Sequence, residues 1–200
     1  MQNKTLLITR TGILLALTVV MQYLGSLLGS ALTLGLGTQL LVGSLVNMML
    51  FLTTLYCGIL CALVVSFLAP IIAYLFGIMK VALPIVIPFV GLGNALLCCV
   101  FYSVLLIIKG KRLISLPISV VISAAIKFVF LALVLTPILS SFSMDETIIS
   151  ALTIIFGVTQ LETALIGGVL FFSVYLILNK AKIKTATEIR MQANRSEKND

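Results

Sequence analysis

Residues 39–77 read QLLVGSLVNMMLFLTTLYCGILCALVVSFLAPIIAYLFG, an apolar stretch that no charged side chain divides. As one helix it would rise about 58 Å, roughly twice the hydrocarbon core of a bilayer. A break must fall inside it, and Tyr56–Gly58 offers the turn, so the stretch is expected to form a tight hairpin of two helices near 39–55 and 57–77. Punctuation by Gly, Pro and charge marks four more helices, near 6–28, 84–108, 114–139 and 151–178, at about the 20 residues that a membrane span requires. Composition agrees: 61% of the 200 residues are hydrophobic and 10% charged, with a mean hydropathy of +1.27, far from the balance of a soluble domain. The expected fold class is an all-α integral membrane protein with six transmembrane helices. It forms one domain over 1–178, and a polar basic tail over 179–200 is expected to fray beyond its first turn. Lys4 and Arg10 ahead of an apolar run give the first segment the outline of a signal peptide; because the later segments are equally long, it is taken as a resident helix.

Charge placement sets the expected orientation. Lys and Arg accumulate in short cytoplasmic segments. Lys4 and Arg10 precede the first helix, Lys109, Lys111 and Arg112 fill the fourth connection, and Lys180, Lys182 and Lys184 follow the last. Six crossings bring all three groups to one side, leaving lone Lys80, Asp145 and Glu146 on the other. Both termini are therefore expected in the cytoplasm, with the chain a multi-pass protein of the cell membrane. Basic residues at helix ends and in a tail form no folded basic face, so nucleic acid is not an expected partner.

The chain has no His, and its four cysteines lie in apolar runs. Cys57 and Cys61, four residues apart, are expected to share a helix face, but without further donors they make a poor metal site. No cofactor is expected. Lys127, inside ISAAIKFVFLALV, and Glu162, inside FGVTQLETALIGGVLFF, are the ionisable residues expected at membrane depth, where burying a charge costs at least ~2.5–3.5 kcal/mol. Three roles fit Lys127: an ion pair with Glu162 that locks two helices, a cation for a carboxylate or phosphate of a substrate, or the base of a Ser123–Lys127 nucleophile pair four residues apart. With no oxyanion-hole element beside Ser123, an enzyme is not expected. Among uncharged polar residues Gln22, Gln39, Asn47, Asn94 and Gln160 stand out as helix bridges or ligand contacts. In PIVIPFVGLGNALL, Pro84, Pro88, Gly91 and Gly93 are expected to loosen the helix just ahead of Asn94. On the last helix Gln160 and Thr163 share a face, whereas Glu162 lies about 160° from Gln160.

At these residues the sequence resembles the substrate-binding S components of energy-coupling factor vitamin importers. The resemblance spans six helices in about 200 residues, a small-residue motif on the first helix, a polar outer half of the sixth and the ALIGGVLF that follows. The family motif on the first helix is A-x-x-x-A-like; here RTGILLALTVV supplies Gly12 and Ala16, with Gly in place of the first Ala. The resemblance implies a pocket that opens outward, built by the later helices and the loop near 78–84. It also implies packing of Gly12 and Ala16 against a transmembrane coupling subunit, and two ATPase subunits that supply the drive, since this chain carries no phosphate-binding loop. Asn94, Lys127, Gln160, Glu162 and Asn47 are the expected substrate contacts, with Phe89, Tyr74 and Phe130 as stacking surfaces in a chain without Trp. Lys127 points to an anionic vitamin such as pantothenate. Two alternatives remain: a small secondary transporter with Lys127 and Glu162 as its proton-coupled pair, and a membrane scaffold that binds no ligand.

Overall fold

The computed structural model describes residues 2–34, 36–78, 84–108, 111–141, 150 and 153–189. Lys80, Lys109, Asp145, Glu146, most of the loop near 78–84 and the tail from 190 lie outside the described residues. The described chain is helical: α1 (Gln2–Ala31), α2 (Leu36–Cys57), α3 (Ile59–Leu75), α4 (Val86–Ile107), α5 (Arg112–Ser140) and α6 (Val158–Lys180). Five stretches, Thr5–Ala31, Gly37–Cys57, Val86–Ile107, Arg112–Val134 and Thr153–Lys180, are long and apolar enough to cross a membrane, and α3 has 17 residues. The chain is a multi-pass membrane protein. Its helix hydroxyls suit that setting, since Thr18, Ser44, Thr53, Thr54, Ser66 and Ser119 each donate to the carbonyl four residues back, so the polar group is satisfied within its own helix.

The long apolar stretch does break at Gly58. That residue has φ +90°, a conformation open to glycine and strained for residues with a Cβ. Its N–H donates to the carbonyls of Thr53 and Thr54 while its own carbonyl accepts from Ala62, so both helix ends are closed across one residue. The break falls within the expected Tyr56–Gly58 turn, at its last residue, with both helix boundaries two residues later than 55 and 57. Cys57 ends α2 and Cys61 belongs to α3, so the two cysteines do not share one continuous helix face. The expected loosening around Asn94 is also absent. Pro84 precedes α4 and Pro88 occupies its first turn, where a missing N–H leaves no hydrogen bond unmade. Gly91 and Gly93 serve close packing instead: a Cβ on them would stand 2.8 Å from Phe67 and 3.1 Å from Leu131.

Helix α2 is the centre of the bundle, packing against α1, α3, α4 and α6, while α5 fills the gap between α4 and α6. In α2 72% of the apolar window is buried, against 22% in α1, so α2 is the core and α1 an outer helix. Small residues make that centre possible. A Cβ on Gly167 would lie 2.6 Å from the Ser44 carbonyl oxygen and 2.8 Å from Asn47 Cβ, and one on Gly168 would overlap Val120 of α5. The Gly167–Gly168 pair thus wedges α6 between α2 and α5. Below it, Phe51, Phe101 and Phe171 are fully buried, with ring centroids 4.9, 5.5 and 5.6 Å apart, and form an aromatic layer joining α2, α4 and α6.

The beginning of the tail does not fray. After Lys182, at φ +56°, the chain doubles back, and Ile183 N–H donates to the Leu178 carbonyl. Arg10 reaches from the start of α1 to the Lys184 carbonyl at 2.9 Å. Thr185 N–H donates to Glu188 Oε2 at 2.7 Å, the reciprocal half of a T-x-x-E capping box, and a turn of helix over 186–189 buries Thr185, Ala186 and Ile189 against the bundle end. Apolar burial by Ala186 and Ile189 is what holds a segment whose composition reads as solvated tail.

Candidate functional site

Lys127 sits midway along α5 with only 2% of its surface exposed. Its ammonium donates to Asn94 Oδ1 of α4 at 2.8 Å and to Asn47 Oδ1 of α2 at 2.9 Å. Asn47 in turn donates through Nδ2 to Thr163 Oγ1 of α6 at 3.2 Å, and Thr163 donates to the Gln160 carbonyl at 3.1 Å. One chain of hydrogen bonds thus ties α5, α4, α2 and α6 together. Glycine again allows it, because Gly43 lets Thr163 come within 2.8 Å of where a Cβ would be, bringing α6 near enough for Asn47 to reach.

The network forms part of the wall of a cavity of about 240 Å³. All six helices contribute: Gln22, Ser26 and Ser30 from α1; Thr38, Gln39, Gly43 and Asn47 from α2; Pro70 and Ala73 from α3; Asn94, Lys127 and Gln160 from α4, α5 and α6. Ile78, Phe156 and the valines Val42, Val46 and Val90 add apolar wall. The α1 and α3 contributors lie late in their helices, the α2, α4 and α6 contributors in the first half or near the middle, and Lys127 midway along α5, so the cavity runs from one end of an alternating bundle to its middle. Arg10, Arg112 and the Lys180–Lys184 region occupy the other end. The aromatic layer lies further along the helices without lining the cavity: Phe51 follows Asn47 by one turn, and Phe101 follows Asn94 by two.

Electrostatically the cavity is one-sided. Among the described residues that line it, Lys127 is the single charged one and the remaining polar groups are amides and hydroxyls. An ammonium carries three donors, and the two asparagines take two of them. Among the described residues that line the cavity no carboxylate faces this cation, and two carbonyl-type acceptors hold it without neutralising it.

Asn47, Asn94, Lys127 and Gln160 therefore come together as the sequence suggests. Glu162 does not join them. It is exposed on another face of α6, consistent with its angular offset from Gln160, and no Lys127–Glu162 ion pair forms. Nor does Ser123 pair with Lys127, because its hydroxyl donates to the Val120 carbonyl at 3.0 Å. Of the expected stacking residues, Tyr74 is exposed and neither Phe89 nor Phe130 lines the cavity; its aromatic contact is Phe156. Gly12 and Ala16 lie on the exposed side of α1, and a Cβ on Gly12 would meet nothing within 4 Å. The α1 wall, and of α2 all but Asn47, are missing from the expected contacts, although their spacing carries a signal: Gln22, Ser26 and Ser30 recur every four residues, as do Gln39, Gly43 and Asn47. Comparison with protein families, curated proteins and solved structures returns no match, so the site's chemistry is what bears on function.

Proposed function

We propose that this chain is a membrane-embedded small-molecule-binding subunit of the S component type, working with a transmembrane coupling subunit and two ATPases to import a vitamin or related compound. The observation that carries this reading is the cavity itself, a polar chamber within an apolar bundle whose one charge, among the described residues that line it, is an ammonium held by two amide oxygens and no carboxylate. A scaffold without a ligand has no use for a chamber that keeps a cation unneutralised, since buried charge costs energy unless it is matched. With Arg10, Arg112 and Lys180–Lys184 held in the cytoplasm by the positive-inside rule, six crossings of the cell membrane place both termini inside and open the cavity outward. Its volume, a little under that of drug-sized pockets, suits a small anionic vitamin of the size of pantothenate. In this reading Gly12 and Ala16, unpartnered on α1, are where the coupling subunit packs.

The test is uptake of radiolabelled vitamins by cells that express the chain with and without the coupling subunit and ATPases, alongside binding to the purified protein. Binding by the chain alone, with uptake only when the coupling module is present, is expected. Uptake that persists without the ATPases would instead mark a secondary transporter, and a protein that binds nothing across the vitamin panel would sink the proposal.

A further inference from the structure

The α1 wall holds a second unmatched group. Gln22 is 4% exposed, lines the cavity, and its Oε1 accepts no hydrogen bond from the described residues. Buried amide oxygens nearly always have a donor. Its depth follows from helix packing: Gly25 rests against Val42 and Leu45 of antiparallel α2, and Gly29 against Thr38. Gln22, one turn before Gly25, therefore stands near Val46 and Asn47, the level at which Lys127 enters from α5. Among the described residues, the cavity thus offers a cation that lacks an anion and, across from it at similar depth, an acceptor that lacks a donor.

We propose that the ligand is a small carboxylate that also carries a hydroxyl or N–H group, with the carboxylate on Lys127 Nζ and the donor on Gln22 Oε1. This rests on the binding function proposed above and narrows its substrate class. It also gives α1 a direct part in recognition. The helix whose outer face exposes Gly12 and Ala16 then closes on the ligand through Gln22, so occupancy of the cavity bears on how the partner-facing helix sits. A site that hydrogen-bonds a donor discriminates sharply against analogues that lack it, because the acceptor is left unpaired.

The experiment is titration calorimetry on the purified full chain in nanodiscs with water-soluble vitamins sorted by these two features. Pantothenate and biotin carry a carboxylate and donors; lipoate and nicotinate carry a carboxylate without a donor; pyridoxine, riboflavin and thiamine carry donors without a carboxylate. Binding confined to the first class is expected, and Gln22→Met is expected to weaken it on the order of tenfold. A tightest ligand from either other class overturns the proposal, as does an affinity within twofold of wild type in a folded Gln22→Met protein. The wild-type panel needs no variant to fold. Absence of binding by any class overturns the binding function itself, and this inference with it.

Discussion

Replacing Lys127 with Met separates a cation that serves the fold from one that serves a ligand. Met keeps the length of the stem and removes the charge. In the ligand-free protein two terms oppose one another. The oxygens of Asn47 and Asn94 lose their donor, at about 1–3 kcal/mol each. The buried ammonium disappears, which recovers a desolvation penalty of several kcal/mol that no carboxylate among the described lining residues offsets. The terms are of similar size, so the melting temperature of Lys127→Met in detergent or nanodiscs is expected to stay close to wild type. Ligand affinity behaves differently. A hydrogen bond to a charged group contributes about 1.5–3 kcal/mol, so an anionic ligand that loses it is expected to bind roughly 10- to 150-fold more weakly. Calorimetry and thermal unfolding on the same preparation read both quantities. A Lys127→Met protein that melts far below wild type but binds with undiminished affinity would refute the reasoning, because Lys127 would then be a structural clasp.

Asn47→Leu is expected to show the reverse weighting, since it leaves the ammonium short of an acceptor and Thr163 short of a donor; a loss of about 2–4 kcal/mol in unfolding free energy checks it. Gly167→Ala, which drives a methyl into the Ser44 carbonyl and Asn47, is expected to cost about 1–3 kcal/mol and to weaken ligand binding as α6 moves off α2, whereas Gly12→Ala should leave unfolding and binding unchanged. If Gly12→Leu also binds normally yet fails to support uptake with the coupling module, the partner surface on α1 is established. Phe101→Ala, which empties the centre of the aromatic layer, is expected to lower stability by about 3–5 kcal/mol in the same unfolding assay. Glu188→Ala removes the acceptor for Thr185 N–H and is expected to raise amide exchange over residues 183–189 while leaving the cavity ligand's affinity unaltered.

What the chain determines locally is legible without coordinates. The apolar stretches and their breaks define helices because a membrane admits no unsatisfied backbone, and a forty-residue greasy stretch has no other way to fit a bilayer. The site's amides and its cation are likewise visible, since Asn47, Asn94, Lys127 and Gln160 are polar residues where polarity is costly, and the angular offset of Glu162 already separates it from Gln160. Tertiary structure decided which of these residues meet. In a soluble protein the apolar face of a helix reveals its core side, but here every helix is apolar around most of its circumference, toward lipid as well as toward protein. Sequence pattern consequently gives no hint that α2 is central, that Gly167 sets its distance from α6, or that Lys127 settles between two asparagines. The inward face of α1, with Gln22 completing the cavity, emerges only when the helices are placed beside one another, because a polar residue in a membrane helix has no meaning until its neighbour is known.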